Sequence, residues 1–393
     1  MPLTLRPYQR DAVNAALNTF QSHSCNGLMV LPTGSGKSVI ISELAYRLNE
    51  PILVFCPSKE LVQQDYDKMM TYGVSDCGIY SASVGLKEIR KITFATIGSV
   101  MNHLHDFDHF RYVVVDESHL VNAKAGQYKE FLTVRKDRQV VGLTATPYRL
   151  TSSLDFGCTL KFLTRTRPRV FDRLIYFCQI QDLLKQGYLA KLKYFDLTNI
   201  DLTRVHSNST GMDYDDNSLT QEFERSGFYD RLTQTTLRVL HPKNGRPRNG
   251  ILVFTRFTKE ADALVATLKG AGIDAESVSA QTPPKERKRI VDGFKTGEIK
   301  VVANVGIMTT GIDYPALDTV ILARPTKSLA VYYQCIGRII RPYKGKDGWV
   351  IDLAGNCQRF GKVEDLTISL ERPNSQLWCI ASNGRQLTNK PFF

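Results

Sequence analysis

The segment Leu31-Pro32-Thr33-Gly34-Ser35-Gly36-Lys37-Ser38 has the residue types needed to hold a phosphate chain. Gly34 and Gly36 let the backbone wrap closely around an anion, with N–H groups turned inward. Lys37 brings a positive charge to the β- and γ-phosphates, and Ser38 offers a hydroxyl to Mg²⁺. The general pattern has Gly where Leu31 stands, but the Thr-Gly-Ser-Gly-Lys-Ser core is intact. About 80 residues later, Tyr112-Val113-Val114-Val115-Asp116-Glu117-Ser118-His119 ends an apolar run on two carboxylates. Asp116 is placed to hold Mg²⁺ through water, and Glu117 to orient or deprotonate an attacking water. The third cluster is Gln334-Cys335-Ile336-Gly337-Arg338-Ile339-Ile340-Arg341. Arg338 and Arg341 are three apart and Gln334 lies four before Arg338, so all three share one helical face. Two such arginines could stabilise charge developing on a γ-phosphate. Taken singly, each cluster has a plainer reading: a Gly-rich strand–helix turn, a solvated acidic turn, a solvated helix face. In this order they describe nucleoside triphosphate hydrolysis at a site split between two parts of the chain.

Such a site needs parallel strands to present its loops. Short Val/Ile/Leu-rich runs at Gly27–Leu31, Ile52–Cys56, Ile92–Ala95, Tyr112–Val115 and Val140–Leu143 show little alternation, as strands buried on both faces do. Helical stretches such as Lys37–Leu48 and Lys59–Met70 lie between them. A second series follows at Gly250–Phe254, Ala275–Val278, Lys300–Asn304, Thr319–Leu322 and Trp349–Leu353, separated by helices near Lys259–Leu268 and Lys285–Phe294. The pattern predicts an α/β protein with two parallel-sheet domains in tandem and the nucleotide cleft between them. We place the first domain at 1–160, the second at 161–372 and a tail at 373–393. Within the second, 198–248 is an irregular, accessory segment. Its stretch Ser207–Asn217 is polar and acidic and reads as a loop. The second sheet is expected to begin before that loop, near Lys191–Leu197.

A length of 393 residues suits two domains of roughly 150–200 residues each. A net charge of +12 favours a polyanionic partner, nucleic acid before phospholipid, because no cationic amphipathic helix or lipidation motif is present. No apolar run approaches the roughly 20 residues that span a bilayer, and no secretion signal opens the chain. The eight cysteines (Cys25, Cys56, Cys77, Cys158, Cys178, Cys335, Cys357 and Cys379) form no C-x-x-C pair. They read as reduced thiols in a cytosolic compartment, and no zinc is expected.

The three clusters together resemble motifs I, II and VI of superfamily 2 helicases and translocases, in which a residue other than Gly at the Leu31 position is normal. Further segments follow in the same order. Leu5-Arg6-Pro7-Tyr8-Gln9 is similar to the adenine-reading segment, Pro57-Ser58-Lys59-Glu60-Leu61 to motif Ia, and Thr96 to motif Ib. Thr144-Ala145-Thr146-Pro147 is similar to motif III, Val253-Phe254-Thr255-Arg256 to motif IV, and Thr309-Thr310-Gly311-Ile312-Asp313-Tyr314-Pro315 to motif V. The resemblance covers about residues 3–355 and is most like RadD-type DNA repair helicases, without their cysteine-rich zinc region; phage branch-migration helicases share much of it.

The resemblance implies two RecA-like domains and ATP with Mg²⁺ as cofactors. Arg6, Gln9, Pro32, Thr33, Gly34, Ser35, Gly36, Lys37, Ser38, Gly311 and Asp313 would bind ATP. Ser38 and Asp116 would hold the metal, and Lys37, Asp116, Glu117, Gln334, Arg338 and Arg341 would carry the chemistry. His119, Thr144 and Thr146 would couple ATP state to domain closure. Ser58, Lys59, Thr96, Arg256 and Thr309 would face a nucleic-acid backbone. The expected partner is single-stranded or branched DNA, with single-strand-binding or recombination proteins as further partners, in a monomer without membrane contact, in the cytoplasm of a bacterial or phage-infected cell. Two rival functions remain open at the level of sequence: an ATP-switched DNA-structure binding protein and an RNA helicase.

Overall fold

The computed structural model describes residues 4–22, 25–153, 157–242, 247–308 and 314–390. Two parallel sheets dominate. The first runs, edge to edge, through Arg173–Phe177, Gly27–Val30, Gln139–Thr144, Tyr112–Val115, Ile52–Phe55, Ile92–Ala95, Cys77–Ser81 and Leu86–Lys87. Every neighbour pair is parallel except Cys77–Ser81 with Leu86–Lys87. The second runs through Leu192–Asp196, Gly348–Asp352, Thr319–Ala323, Ile251–Thr255, Val301–Asn304 and Ala275–Val278, all parallel. These are the two RecA-like domains. The central strands lose essentially all solvent contact because helices cover both faces, and continuous apolar runs provide for that.

The helices Lys37–Leu48 and Lys59–Met70 form as the sequence pattern predicts. Ser58 caps the second, its Oγ accepting from Leu61 N at 3.4 Å.

The exchange between sheets departs from the expected boundary at 160/161. Arg173–Phe177 pairs in parallel with Gly27–Val30 and so completes the first sheet, and Leu192–Asp196 opens the second. The handover therefore falls between Phe177 and Leu192. The accessory stretch is more regular than expected: Asp216–Arg225 and Phe228–Leu240 are amphipathic helices, and the second packs against Thr258–Gly270. The expected tail is also structured. Trp378–Ser382 and Arg385–Gln386 join Leu366–Leu370 in a three-stranded antiparallel sheet. This sheet returns to the first domain. Both ends of the Gln179 amide bond the Ile368 backbone, at 2.8 and 3.1 Å, Trp378 packs its ring on Phe177, and Arg165 pairs with Glu371. Among the described residues, no helix is long and apolar enough to cross a membrane.

Candidate active site

The strand Gly27–Val30 delivers the chain into the phosphate loop, which ends at the helix Lys37–Leu48. Gly34 and Gly36 have φ of 82° and 83°, a region closed to most side chains. A Cβ on Gly34 would stand 3.3 Å from the Arg341 side chain, so the glycine also permits close approach of the second domain. The loop is braced from below: Tyr8 Oη and Gln9 Nε2 both donate to Ser35 O, at 2.6 and 2.9 Å. The other end of the Gln9 amide accepts from Arg6 N at 3.0 Å. Gln9, expected to read an adenine edge, thus has both ends of its amide engaged with the backbone. The Arg6 guanidinium lies 4.4 Å from the Tyr188 ring centroid.

Asp116 and Glu117 follow the buried strand Tyr112–Val115. Glu117 takes φ 48°, ψ 48°, a left-handed conformation rare outside glycine and frequent where side chains are aimed at chemistry. Its Oε1 pairs with Lys37 Nζ at 3.1 Å and its Oε2 with His119 Nδ1 at 3.3 Å. Burial alone would push the Glu117 carboxyl up, but the Lys37 ammonium and the His119 ring together hold it well below the usual carboxylate range. Burial would also lower the Lys37 pKa, yet Glu117 and Asp116 hold it above its ordinary value. Burial, with the Glu117 charge adding to it, pushes the Asp116 carboxyl well up, and its Oδ1 has no hydrogen-bond partner. A buried carboxylate oxygen left without a donor beside the Ser38 hydroxyl is a hard-oxygen donor set suited to Mg²⁺.

Motif VI arrives from the second domain on the helix Leu329–Gly337, which carries Gln334; Arg338 is its C-cap and Arg341 lies beyond its end, so the three do not share one helical face as the spacing predicts. Lys37, Ser38, Asp116, Glu117, Arg338 and Arg341 line one cleft of about 190 Å³. Arg338 Nε donates to Gln334 O at 3.3 Å, and both arginines are largely buried. Gly337 marks the closest approach, since a Cβ there would stand 2.9 Å from Thr33 Cγ2. Tyr333 Oη accepts from Thr33 N at 3.3 Å.

One hydrogen-bond chain spans the cleft. Gln334 Nε2 lies 3.1 Å from His119 Nε2, and His119 Nδ1 lies 3.0 Å from Thr144 Oγ1. Thr144 Oγ1 accepts from Thr146 N at 3.0 Å. An amide nitrogen only donates, so His119 Nε2 accepts and the ring proton sits on Nδ1, facing Glu117 and Thr144. The structure brings together the residues expected to act in catalysis and coupling.

Two neighbours escaped the sequence reading. Gln64 Nε2 donates to Ser38 Oγ at 2.9 Å. Asp65 is fully buried beside Ser38 and accepts from Cys56 Sγ at 3.4 Å; burial pushes its carboxyl up to about 6, against the pull of Ser38, Cys56 and Lys37. The available signal was an aspartate at a core position, between Val62 and Met69 on the buried face of its helix.

The expected nucleic-acid contacts are placed less uniformly. Ser58, Lys59 and Thr96 follow the C-terminal ends of strands in the first sheet. The Thr96 hydroxyl bonds Ser99 and Ser81, at 2.9 and 3.2 Å. Arg256 is paired within the chain, with Asp213 and Asp216. Thr309, Gly311 and Asp313 lie outside the described residues.

Comparison with known proteins agrees with this arrangement. Residues 2–149 match the family described as type III restriction enzyme, res subunit, and residues 230–343 match the helicase conserved C-terminal domain. A Saccharomyces cerevisiae protein bearing the name of an ATP-dependent helicase, IRC3, is 27% identical over 381 residues, covering 89% of this chain and 51% of that protein. The DNA 3'-5' helicase XPB of Kineococcus radiotolerans is 26% identical over 359 residues, covering 88% and 58%. Among solved structures, the ATP-dependent type ISP restriction-modification enzyme LlaBIII bound to DNA superposes with a TM-score of 0.67 at 17% identity, over 90% of this chain and 28% of that one. The chain thus spans between half and two thirds of the length of these two curated relatives. The phosphate loop and the acidic strand end thus lie in one matched domain and Arg338 and Arg341 in the other, and in both domains the chain is similar to helicases.

Proposed function

We propose that the protein is an ATP-dependent DNA helicase or translocase, coupling ATP hydrolysis to movement on DNA in repair, recombination or replication. The observation that carries this reading is the split cleft: Lys37, Asp116 and Glu117 from one domain face Arg338 and Arg341 from the other. A triphosphate entering the cleft competes with Glu117 for Lys37. Once Lys37 turns to the β/γ-phosphates, Glu117 is released from its ion pair to accept a proton from the attacking water. Ser38 and Asp116 would hold Mg²⁺, which neutralises charge building on the phosphates. Arg338 and Arg341 stabilise the charge of the transferring phosphoryl group only while the domains are together. His119 senses that state, because it touches the catalytic carboxylate and Gln334 of the second domain at once. Alternation between closed and open domains then steps the protein along a strand.

The choice of DNA is supported by the net charge of +12 and by the printed names of the XPB relative and the DNA-bound neighbour. A kinship with RadD-type repair helicases rests on the Leu5–Leu44, Leu143–Leu150 and Arg324-Pro325-Thr326 stretches. The test is ATPase activity with and without single-stranded DNA, single-stranded RNA, duplex, fork and four-way junction. DNA stimulation in the wild type, lost at least about 100-fold in Lys37→Ala and in Glu117→Gln, is expected. Near-wild-type turnover in either variant would sink the site; stimulation by RNA alone would sink the DNA reading.

A further inference from the structure

The acidic loop at 207–217 lies across the C-terminal ends of the central strands of the second sheet. Those ends present a set of cations. Arg256 follows Ile251–Thr255, Arg324 and Lys327 follow Thr319–Ala323, and Arg359 sits on the short helix after Gly348–Asp352. The Arg256 guanidinium is gripped at three points: Nη1 lies 2.6 Å from Asp213 Oδ2, Nη2 lies 2.7 Å from Asp216 Oδ1, and Nη2 also donates to Tyr214 O at 3.3 Å. Arg324 Nη2 is 3.5 Å from the same Asp213 oxygen. The buried Tyr214 ring lies between Lys327, 5.3 Å from its centroid, and Arg359, 5.6 Å from it, while Arg359 Nη2 donates to the phenol oxygen at 2.5 Å. Asp215 points elsewhere and caps the helix Asp216–Arg225 through Ser218 N.

The arrangement has the chemistry of a bound nucleotide. Carboxylates meet guanidinium groups where phosphate oxygens would, and an aromatic ring lies against cations as a base does in a single-strand groove. Among the described residues, four cations face two carboxylates here. A polyanion offers this cluster more charge than the loop does, and guanidinium pairs with phosphate as readily as with carboxylate. The Asp216 carboxylate is 62% exposed, and an exposed pair of this kind holds the loop by only about 1 kcal/mol. A strand can therefore exchange for it.

We propose that Arg256, Arg324, Lys327 and Arg359 form a binding site for single-stranded nucleic acid, and that Asp213–Asp216 covers it as an internal nucleotide mimic which an incoming strand displaces. This rests on the nucleic-acid reading above and deepens it: the second domain engages its track only after the loop yields.

The test measures affinity of the full chain for a fluorescent oligothymidylate of about 20 nucleotides, a length that exceeds one single-strand site. The Asp213→Asn/Asp216→Asn protein is expected to bind roughly tenfold more tightly than wild type at 0.1 M salt. Arg324→Ala and Arg359→Ala are expected to bind more weakly, each lowering the salt slope by about 0.7. Hydrogen exchange on the wild type supplies a reading that no substitution can spoil: amides of 207–217 exchange faster when the oligonucleotide is bound. Unchanged or weaker binding by the folded double variant, or slower or unchanged exchange in that loop, would overturn the mimic. Wild type that binds the oligonucleotide while these readouts fail overturns this inference alone. If neither wild type nor the double variant binds, the nucleic-acid reading fails with it.

Discussion

The contact between His119 and Gln334 can be weighed by a double-mutant cycle. Gln334→Ala deletes the amide that donates to His119 Nε2 at 3.1 Å across the cleft. A neutral hydrogen bond is worth about 1 kcal/mol net, and a buried acceptor left dry costs about as much again. His119 is almost fully buried, so the upper part of that range applies. If the bond exists only while the domains are together, its loss raises the barrier to hydrolysis by about 1–2 kcal/mol, roughly a 5- to 30-fold fall in kcat. His119→Ala deletes the same bond together with the contacts to Glu117 and Thr144, at 3.3 and 3.0 Å, and should lose roughly 100-fold. Because the two substitutions share one bond, the double variant should be hardly slower than His119→Ala, giving a coupling of at least about 1 kcal/mol. The assay is steady-state ATPase at saturating ATP and DNA for the four proteins. If the two losses multiply, the bond is not part of the hydrolysing state and His119 does not sense the second domain.

Gly36→Ala should lose nucleotide binding by at least roughly tenfold, because φ 83° costs an L-residue about 1–2 kcal/mol and the new Cβ would stand 2.7 Å from Gln9 Nε2. Titration with a fluorescent ATP analogue checks it. Arg248 is buried between Asp318 and Asp347 with its guanidinium 4.4 Å from the Trp349 ring centroid, so Arg248→Met should remove the guanidinium that pairs with the buried Asp318 and cost about 3–5 kcal/mol in urea unfolding of the second domain. Glu260 carries a pH signature. Burial pushes its carboxyl up to about 7, against the hydrogen bonds from Arg256 N and Phe257 N. A raised acid binds its proton in the folded state first, so its contribution is fully present below the unfolded pKa near 4.5 and is lost as pH rises through 7. The loss is on the order of 3 kcal/mol. Glu260→Gln should remove this fall, seen as urea midpoints compared at pH 5 and pH 8; parallel pH profiles for the two proteins would refute it.

Much of this site could be read from residue types, for a physical reason. Lys37, Asp116 and Glu117 sit where buried parallel strands end, and such strands advertise themselves as unbroken Val/Ile/Leu runs such as Tyr112–Val115. Strands with weaker signals were missed. Arg173–Phe177 is apolar after its first residue but only half-buried because it lies at a sheet edge, and nothing in its pattern says that it pairs with Gly27–Val30, roughly 150 residues earlier. The C-terminal sheet escaped for a related reason: its strands mix polar and apolar residues, pair only with one another, and rest on Phe177 and Gln179 of the first domain. Asp65 carries no motif, and only its burial beside Ser38 marks it. Arg256 shows the limit from the other side. Position gave it a role on nucleic acid, whereas pairing with Asp213 and Asp216 depends on how a loop some 40 residues upstream folds back.

The returning C-terminal sheet has a mechanical consequence. The chain passes between the domains twice, once through 186–191 and once through 361–366, and after the second passage it is tied to the first domain by Gln179 to Ile368 and by Arg165 to Glu371. A body held at one point can swivel about any axis, but a body held at two can turn only about the line joining them. In the proposed cycle, opening of the cleft would turn about that line, like a door on two hinges. Travel at any residue would then grow with its distance from that line, so the two crossings would set how far each residue of the second domain can move.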